Sequence, residues 1–219
     1  MPPAYSPPLA PPDYVHVDDW LVVINKPAGL LSVPGRGADK ADCARSRVQA
    51  DYPGALTVHR LDMSTSGLLM FARSKEVQRA LSTRFEQGKV AKTYIANVWG
   101  SPAESSGLID LPLIHDWPNR PRQKVDAEIG KPSQTQFDVI KRGANATRLN
   151  LTPLTGRTHQ LRVHLAAIGH PILGDDLYAH AAALQMAPRL HLHAHTLALS
   201  HPHTRETIRF SAPCPFDGP

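Results

Sequence analysis

The run His59–Arg60–Leu61–Asp62–Met63–Ser64–Thr65–Ser66–Gly67–Leu68–Leu69–Met70–Phe71–Ala72 sets one carboxylate, Asp62, beside an arginine and ahead of a small-residue turn. Apolar runs at 56–58 and 68–72 flank it, and both have β character. Residues 63–67 must then form a tight connection, with Ser and Thr side chains able to bond the local backbone and Gly67 free to take a positive φ. Asp62 stands where a strand ends and a loop begins, which holds a reactive group still. The plain alternative is an aspartate that caps a turn, with Arg60 paired at the surface.

Outward from this run, residues 14–17 and 21–25 read as a strand hairpin across Asp18–Asp19, broken at Asn25–Lys26–Pro27–Ala28–Gly29. Residues 39–50 read as a short helix. Ser74 caps a clearer helix, in which Val77, Ala80, Leu81 and Phe85 share a face and Gly88 is the stop. Residues 91–99 alternate as a strand, with Lys92 and Tyr94 on one face. Further strands are expected at 108–114, 135–140 and 147–151. Between the first two, the polar stretch 116–128 carries Trp117, Arg120, Arg122 and Lys124 and is long for a connection, as functional loops are. Thr155 or Thr158 caps a helix running from His159 to Ile168, ended by Gly169 and Pro171, and a last hairpin joins 190–199 to 206–211.

These elements give one α+β domain, a mixed and mostly antiparallel sheet flanked by helices, over residues 13–213. Residues 1–12, mostly Pro, Ala and Ser, read as a disordered leader, and 214–219 as a tail. The 219 residues are 42% hydrophobic and 20% charged, ordinary for a globular chain, and no apolar run approaches a membrane span of about 20 residues. No secretory signal opens the chain. Cys43 and Cys214 lie far apart without metal or redox spacing, so reduced thiols in a cytoplasmic protein are expected over a disulfide. A net charge of +5 admits a polyanionic partner without requiring one.

The chemistry gathers at three places: Asp62; Lys92–Thr93–Tyr94; and Leu154–Thr155–Gly156–Arg157–Thr158–His159–Gln160–Leu161–Arg162–Val163–His164, where arginines and histidines crowd a helix start suited to an anion. No Ser–His–Asp set, P-loop or dinucleotide glycine pattern is present. His191, His193 and His195 alternate along a strand, yet no carboxylate or cysteine pattern joins them, so no metal site is assigned. What is left is a lone carboxylate in cationic company, able to act as nucleophile or general base. Arg162 is the better partner to hold it ionised, Arg60 the better one to reach a substrate, and Tyr94 can stack on a flat ring or move a proton.

These residues together resemble the RluA-type pseudouridine synthases. His59–Arg60–Leu61–Asp62 with Thr65–Ser66–Gly67 is similar to that family's active-site motif, Lys92–Thr93–Tyr94 to its second, and Gly156–His164 to its third. Asn25–Leu30, Gly169–Asp175 and Leu192–Ala194 extend the likeness from about Tyr14 to Ala212. Asp116–Trp117–Pro118–Asn119–Arg120–Pro121 and the short chain are most like members acting on both 23S ribosomal RNA and transfer RNA.

The resemblance implies the pseudouridine synthase fold as a single catalytic domain, without the S4 domain that other members carry. It implies an isomerase that breaks a uridine's N1–C1′ bond, turns the base and rejoins it through C5. Asp62 would be the essential carboxylate, attacking C1′ or taking a proton from C2′. Tyr94 would stack on the base or deprotonate C5, and Arg162 would pair with Asp62. Arg60 would fill the place of the flipped uridine. His59, Lys92, Arg120, Arg122, Lys124, Arg157 and His159 join Arg60 as RNA-binding candidates. No cofactor, metal or membrane is implied, and a monomer is expected. Two other readings stay open: a synthase for a single rRNA or tRNA site, and an RNA-binding module. A His-metal hydrolase has only His191, His193 and His195 behind it.

Overall fold

Strand alternation gives way along Ser66–Ala72, where all seven residues are buried and both faces are covered. The computed structural model describes residues 5–219. In chain order its elements are β1 (Asp13–Val17), β2 (Leu21–Lys26), α1 (Ala44–Asp51), β3 (Leu56–Thr57), β4 (Ser66–Ala72), α2 (Lys75–Glu86), β5 (Ala91–Trp99), β6 (Ser106–Asp110), β7 (Leu113–His115), β8 (Gln123–Val125), β9 (Gln134–Arg142), β10 (Ala146–Pro153), α3 (Gln160–Ala167), α4 (Ala181–Gln185), β11 (Leu192–Ser200) and β12 (Thr207–Ser211). Within this fold the chain gathers into two compact units. It passes between them at residues 91–92, 193–194 and 213–214.

The first unit is built on β4. β2 pairs with it antiparallel from Leu21↔Ala72 to Lys26↔Gly67, β1 adds to β2, and the short β3 pairs at Leu56↔Ala72. β11 lies next to β4 and carries β12 antiparallel. One face of this sheet packs Leu21, Val23, Leu68, Met70 and Leu197 against Val77 and Leu81 of α2. Each such side chain, fully buried, contributes about 1.5–3 kcal/mol. Ser74 caps α2 as expected, its Oγ accepting from Val77 N at 3.2 Å. The helix expected at 39–50 is instead a 3₁₀ turn at Ala38–Lys40 followed by α1. Extended backbone at Cys43 forces the break, and Ser46 closes the cap by accepting from Cys43 N at 2.9 Å.

The second unit orders β5–β10–β9–β6 as an antiparallel sheet, with Ala96, Val98, Leu149, Leu151 and Phe137 packed against Leu161 and Leu165 of α3. The strand expected over 108–114 is split into β6 and β7 around Pro112, which has no N–H to offer a ladder. The long polar stretch 116–128 holds a strand of its own: β8 pairs β7 from Leu113↔Val125 to His115↔Gln123, so the basic residues ride on a hairpin. α4 was not foreseen; its Ala-rich turn packs Ala183 with Leu173 and Ala187.

Residues 1–4 of the expected leader lie outside the described residues. Residues 5–12 have no helix or strand, yet they are not loose: Tyr5 Oη donates to Asp42 O at 2.9 Å and accepts from Leu31 N at 3.0 Å, and Arg47 donates to Ala10 O at 2.8 Å. A proline-rich segment needs no core of its own when its neighbours supply its hydrogen bonds. The tail is also laid down, with Asn97 Nδ2 donating to Asp217 O at 2.7 Å.

Gly67, at φ 112°, opens β4 with its α-carbon against β11; a β-carbon there would stand 2.2 Å from Ala194 O. Gly67→Ala combines a disfavoured backbone with a backbone clash, and a loss of about 3 kcal/mol or more is expected in a denaturant midpoint measurement.

Candidate active site

Asp62 lies five residues beyond the end of β3, in the connection between β3 and β4, and is half-buried. Its carbonyl accepts from Thr65 N at 3.1 Å, which closes a turn over Met63–Ser64. The residues on either side are clamped. Before it, Leu61 is buried, and Ser32 bonds it twice: Oγ donates to Leu61 O at 2.7 Å and accepts from Leu61 N at 3.1 Å. After it, Met63 O accepts from Gly29 N at 2.8 Å and from Lys26 Nζ at 3.1 Å.

Lys26 is 0% exposed, and its ammonium also donates to Pro27 O at 2.9 Å and Leu30 O at 2.7 Å. A buried ammonium is tolerated when carbonyl dipoles surround it. The Asn25–Leu30 run thus acts on the Asp62 loop from below, a function its sequence alone did not disclose.

Arg60 is exposed, in keeping with an outward reach. His59, expected to contact RNA, is half-buried and makes contacts within the chain. Its Nε2 accepts from Met70 N at 3.1 Å and its ring stacks on Phe85 at 4.4 Å, so it ties the connection to β4 and α2.

In the second unit, Lys92 and Tyr94 lie half-buried near the start of β5, with Tyr94 opposite Leu151 of β10. Burial pulls the Lys92 ammonium below the ordinary lysine range. Arg162, 3% exposed along its side chain, sits bidentate on Asp175, Nε–Oδ2 2.8 Å and Nη2–Oδ1 2.6 Å, and reaches Asp176 at 3.1 Å. Asp175 went unassigned in the sequence reading; the Gly174–Asp175 step behind Pro171 was its only signal.

Neither Thr155 nor Thr158 caps α3. The cap position is His159, in the left-handed region at φ 53°, and no side chain caps there. Gln160, the first residue of α3, ties the preceding loop to β9: its Oε1 accepts from Thr155 Oγ1 at 2.8 Å and Arg157 N at 3.0 Å, while its Nε2 donates to Gln134 O and Thr135 Oγ1. His164 Nε2 donates to Leu111 O at 2.9 Å and Nδ1 accepts from Thr135 Oγ1 at 2.9 Å; burial keeps this imidazole below its usual range. Arg157, Arg120, Arg122 and Lys124 are exposed, with Arg120 stacked 3.8 Å over the Trp117 ring.

His191, once weighed as a ligand, stacks on Phe216 at 4.3 Å, and its Nδ1 accepts from Asn97 Nδ2 at 3.2 Å. Among the described residues no group of three His, Cys, Asp or Glu is arranged around a metal.

The model for RNA pseudouridylate synthase matches residues 20–167. The dual-specificity RNA pseudouridine synthase RluA of Escherichia coli (strain K12) is 51% identical over 214 residues, covering 97% of this chain and 98% of the relative. The enzyme of the same name from Pasteurella multocida is 53% identical over 215 residues, with 97% and 98% covered. Among solved structures, human RNA Pseudouridylate Synthase Domain Containing 1 superposes with a TM-score of 0.78 at 30% identity, over 94% of this chain and 84% of that one.

Two outcomes follow from this geometry. Lys26→Met removes the common donor of three carbonyls and is expected to cost about 2–4 kcal/mol in chemical denaturation. Burial, with help from Arg189 and Arg148, pushes His191 down to about 4 from an ordinary 6.5. The unfolded chain therefore binds this proton first, so stability falls as pH drops from 6.5 through 4. His191→Phe, which keeps the stack, should flatten that limb of a stability–pH curve.

Proposed function

This chain belongs to the RNA pseudouridylate synthase family, and from that premise we propose that Asp62 is the carboxylate on which its reaction turns. The enzyme is an RNA pseudouridine synthase: it detaches a uracil from C1′ through N1, turns it and reattaches it through C5. The observation that carries the assignment to Asp62 is the clamp, with Ser32 on Leu61 before it and Lys26 and Gly29 on Met63 after it. A chain immobilised on both sides presents its one intervening side chain in a fixed place, which a nucleophile or base requires. Attack on C1′ and proton removal from C2′ both use that carboxylate.

Tyr94 supplies the aromatic face and the phenol, stacking on the base or taking the C5 proton. Arg162 supplies a guanidinium held rigid by Asp175. Arg60, exposed beside Asp62, enters the gap left by the flipped nucleotide. Arg120, Arg122, Lys124 and Arg157 bind phosphates, with Lys92 and His159 nearer the reacting base. We assign 23S rRNA and tRNA loops as the substrates; the support is 51% and 53% identity to relatives called dual-specificity. Unstacked loop bases are the ones that can be extruded and read. The enzyme works in this reading as a cytoplasmic monomer. No helix among the described residues is long and apolar enough to cross a membrane.

RNA carrying tritium at uridine C5 releases it when C5 takes the glycosidic bond. Asp62→Asn is expected to bind such RNA within about threefold of wild type and to lose at least about a thousandfold in release. Substantial turnover by this variant would remove Asp62 from the role.

A further inference from the structure

The second unit holds a tyrosine that the motifs leave out. Tyr178 Oη accepts from Gln123 N at 2.8 Å, in the basic hairpin of β7 and β8, and bonds His159 Nδ1 at 2.7 Å, at the head of α3. Two guanidiniums lie over its ring, Arg122 Cζ at 5.4 Å and Arg162 Cζ at 5.3 Å from the centroid, within cation–π range. Its backbone is fixed by the aspartate that seats Arg162: Asp175 Oδ1 accepts from Tyr178 N at 3.1 Å. His159 holds a left-handed backbone, φ 53°, that a non-glycine residue keeps only when its surroundings impose it. The bond to Tyr178 is one such restraint.

From these contacts we propose that Tyr178 is a positioning residue that tethers the Arg120–Lys124 hairpin, where RNA docks, to the head of α3, the helix that carries Arg162. It rests on the reading of this chain as an RNA-modifying enzyme and adds the part that links recognition to chemistry. Gln123 lies between Arg122 and Lys124 on β8, so the hydroxyl fixes the hairpin's basic side chains relative to α3. Without the hydroxyl the hairpin loses its tether, and RNA must order it at the cost of affinity.

Tyr178→Phe keeps the ring beside the two guanidiniums and removes only the hydroxyl. In tritium release from a stem-loop RNA, the variant is expected to raise KM about tenfold and hold kcat within about twofold, the effect of losing the hydroxyl's bonds to Gln123 and His159. Combined with Arg120→Ala, it should raise KM no further than the worse single variant, because both act through the hairpin. Amide exchange at Gln123 should quicken while β9 and β10 stay protected, which a general loss of fold would not produce. KM effects that multiply in full, an unchanged KM, or a Gln123 amide no faster than wild type would overturn the proposal. Wild-type protein that releases no tritium from any RNA would instead overturn the parent reading, so the two failures are distinguishable.

Discussion

An ammonium taken wholly out of water is the constraint on which the first unit rests. Lys26 has its backbone in β2, paired to Gly67 at the head of β4, and its Nζ on the carbonyls of Pro27, Leu30 and Met63. A buried charge is costly unless oriented dipoles replace its hydration. The three carbonyls must therefore stay where they are, and one of them belongs to the residue after Asp62. Sheet pairing, the Asn25–Leu30 turn and the Asp62 loop are held together by one charged group.

The second unit solves the same problem with neutral and ionic side chains on one short helix. α3 buries six consecutive residues, Gln160 to Leu165, three of them polar. Each polar one is satisfied within the unit: Gln160 by Thr155, Arg157, Gln134 and Thr135, Arg162 by Asp175 and Asp176, His164 by Thr135 and Leu111. Such networks cost stability if any member is lost, and in return admit a single arrangement. A guanidinium held on two carboxylates in this way keeps one orientation.

Local signals carried much of the fold. Ser74 with Val77, Leu81 and Gly88 marked α2, alternation over 91–99 marked β5, and Asp18–Asp19 marked the first hairpin, because each rests on a few adjacent residues. Gly67 was recognised as a positive-φ position, but its reason, the approach of Ala194, is a contact 127 residues away in sequence. The misreadings share that origin. A threonine was expected to cap α3 because threonine caps by itself, whereas no side chain caps it and its first residue, Gln160, bonds instead to Thr155, to Arg157 N and to β9. β8 was hidden in a polar stretch because its strand character comes from pairing with β7. Asp62, Tyr94 and Arg162 stood out as candidates through their motifs; the residues that fix the chain beside Asp62, Lys26 and Ser32, and the one that seats Arg162, Asp175, did not. Their work is done on backbone carbonyls and on each other across the fold.

The central claim is that Asp62 is the chemical centre of an RNA-modifying enzyme. It is tested most directly by mapping pseudouridines across total RNA from cells lacking the gene and complemented with wild-type protein or with Asp62→Asn. The account predicts that specific uridines in large-subunit ribosomal RNA and in transfer RNA lose the modification, regain it with the wild type and stay unmodified with the variant. Restoration by Asp62→Asn, or a map identical with and without the gene, would contradict it.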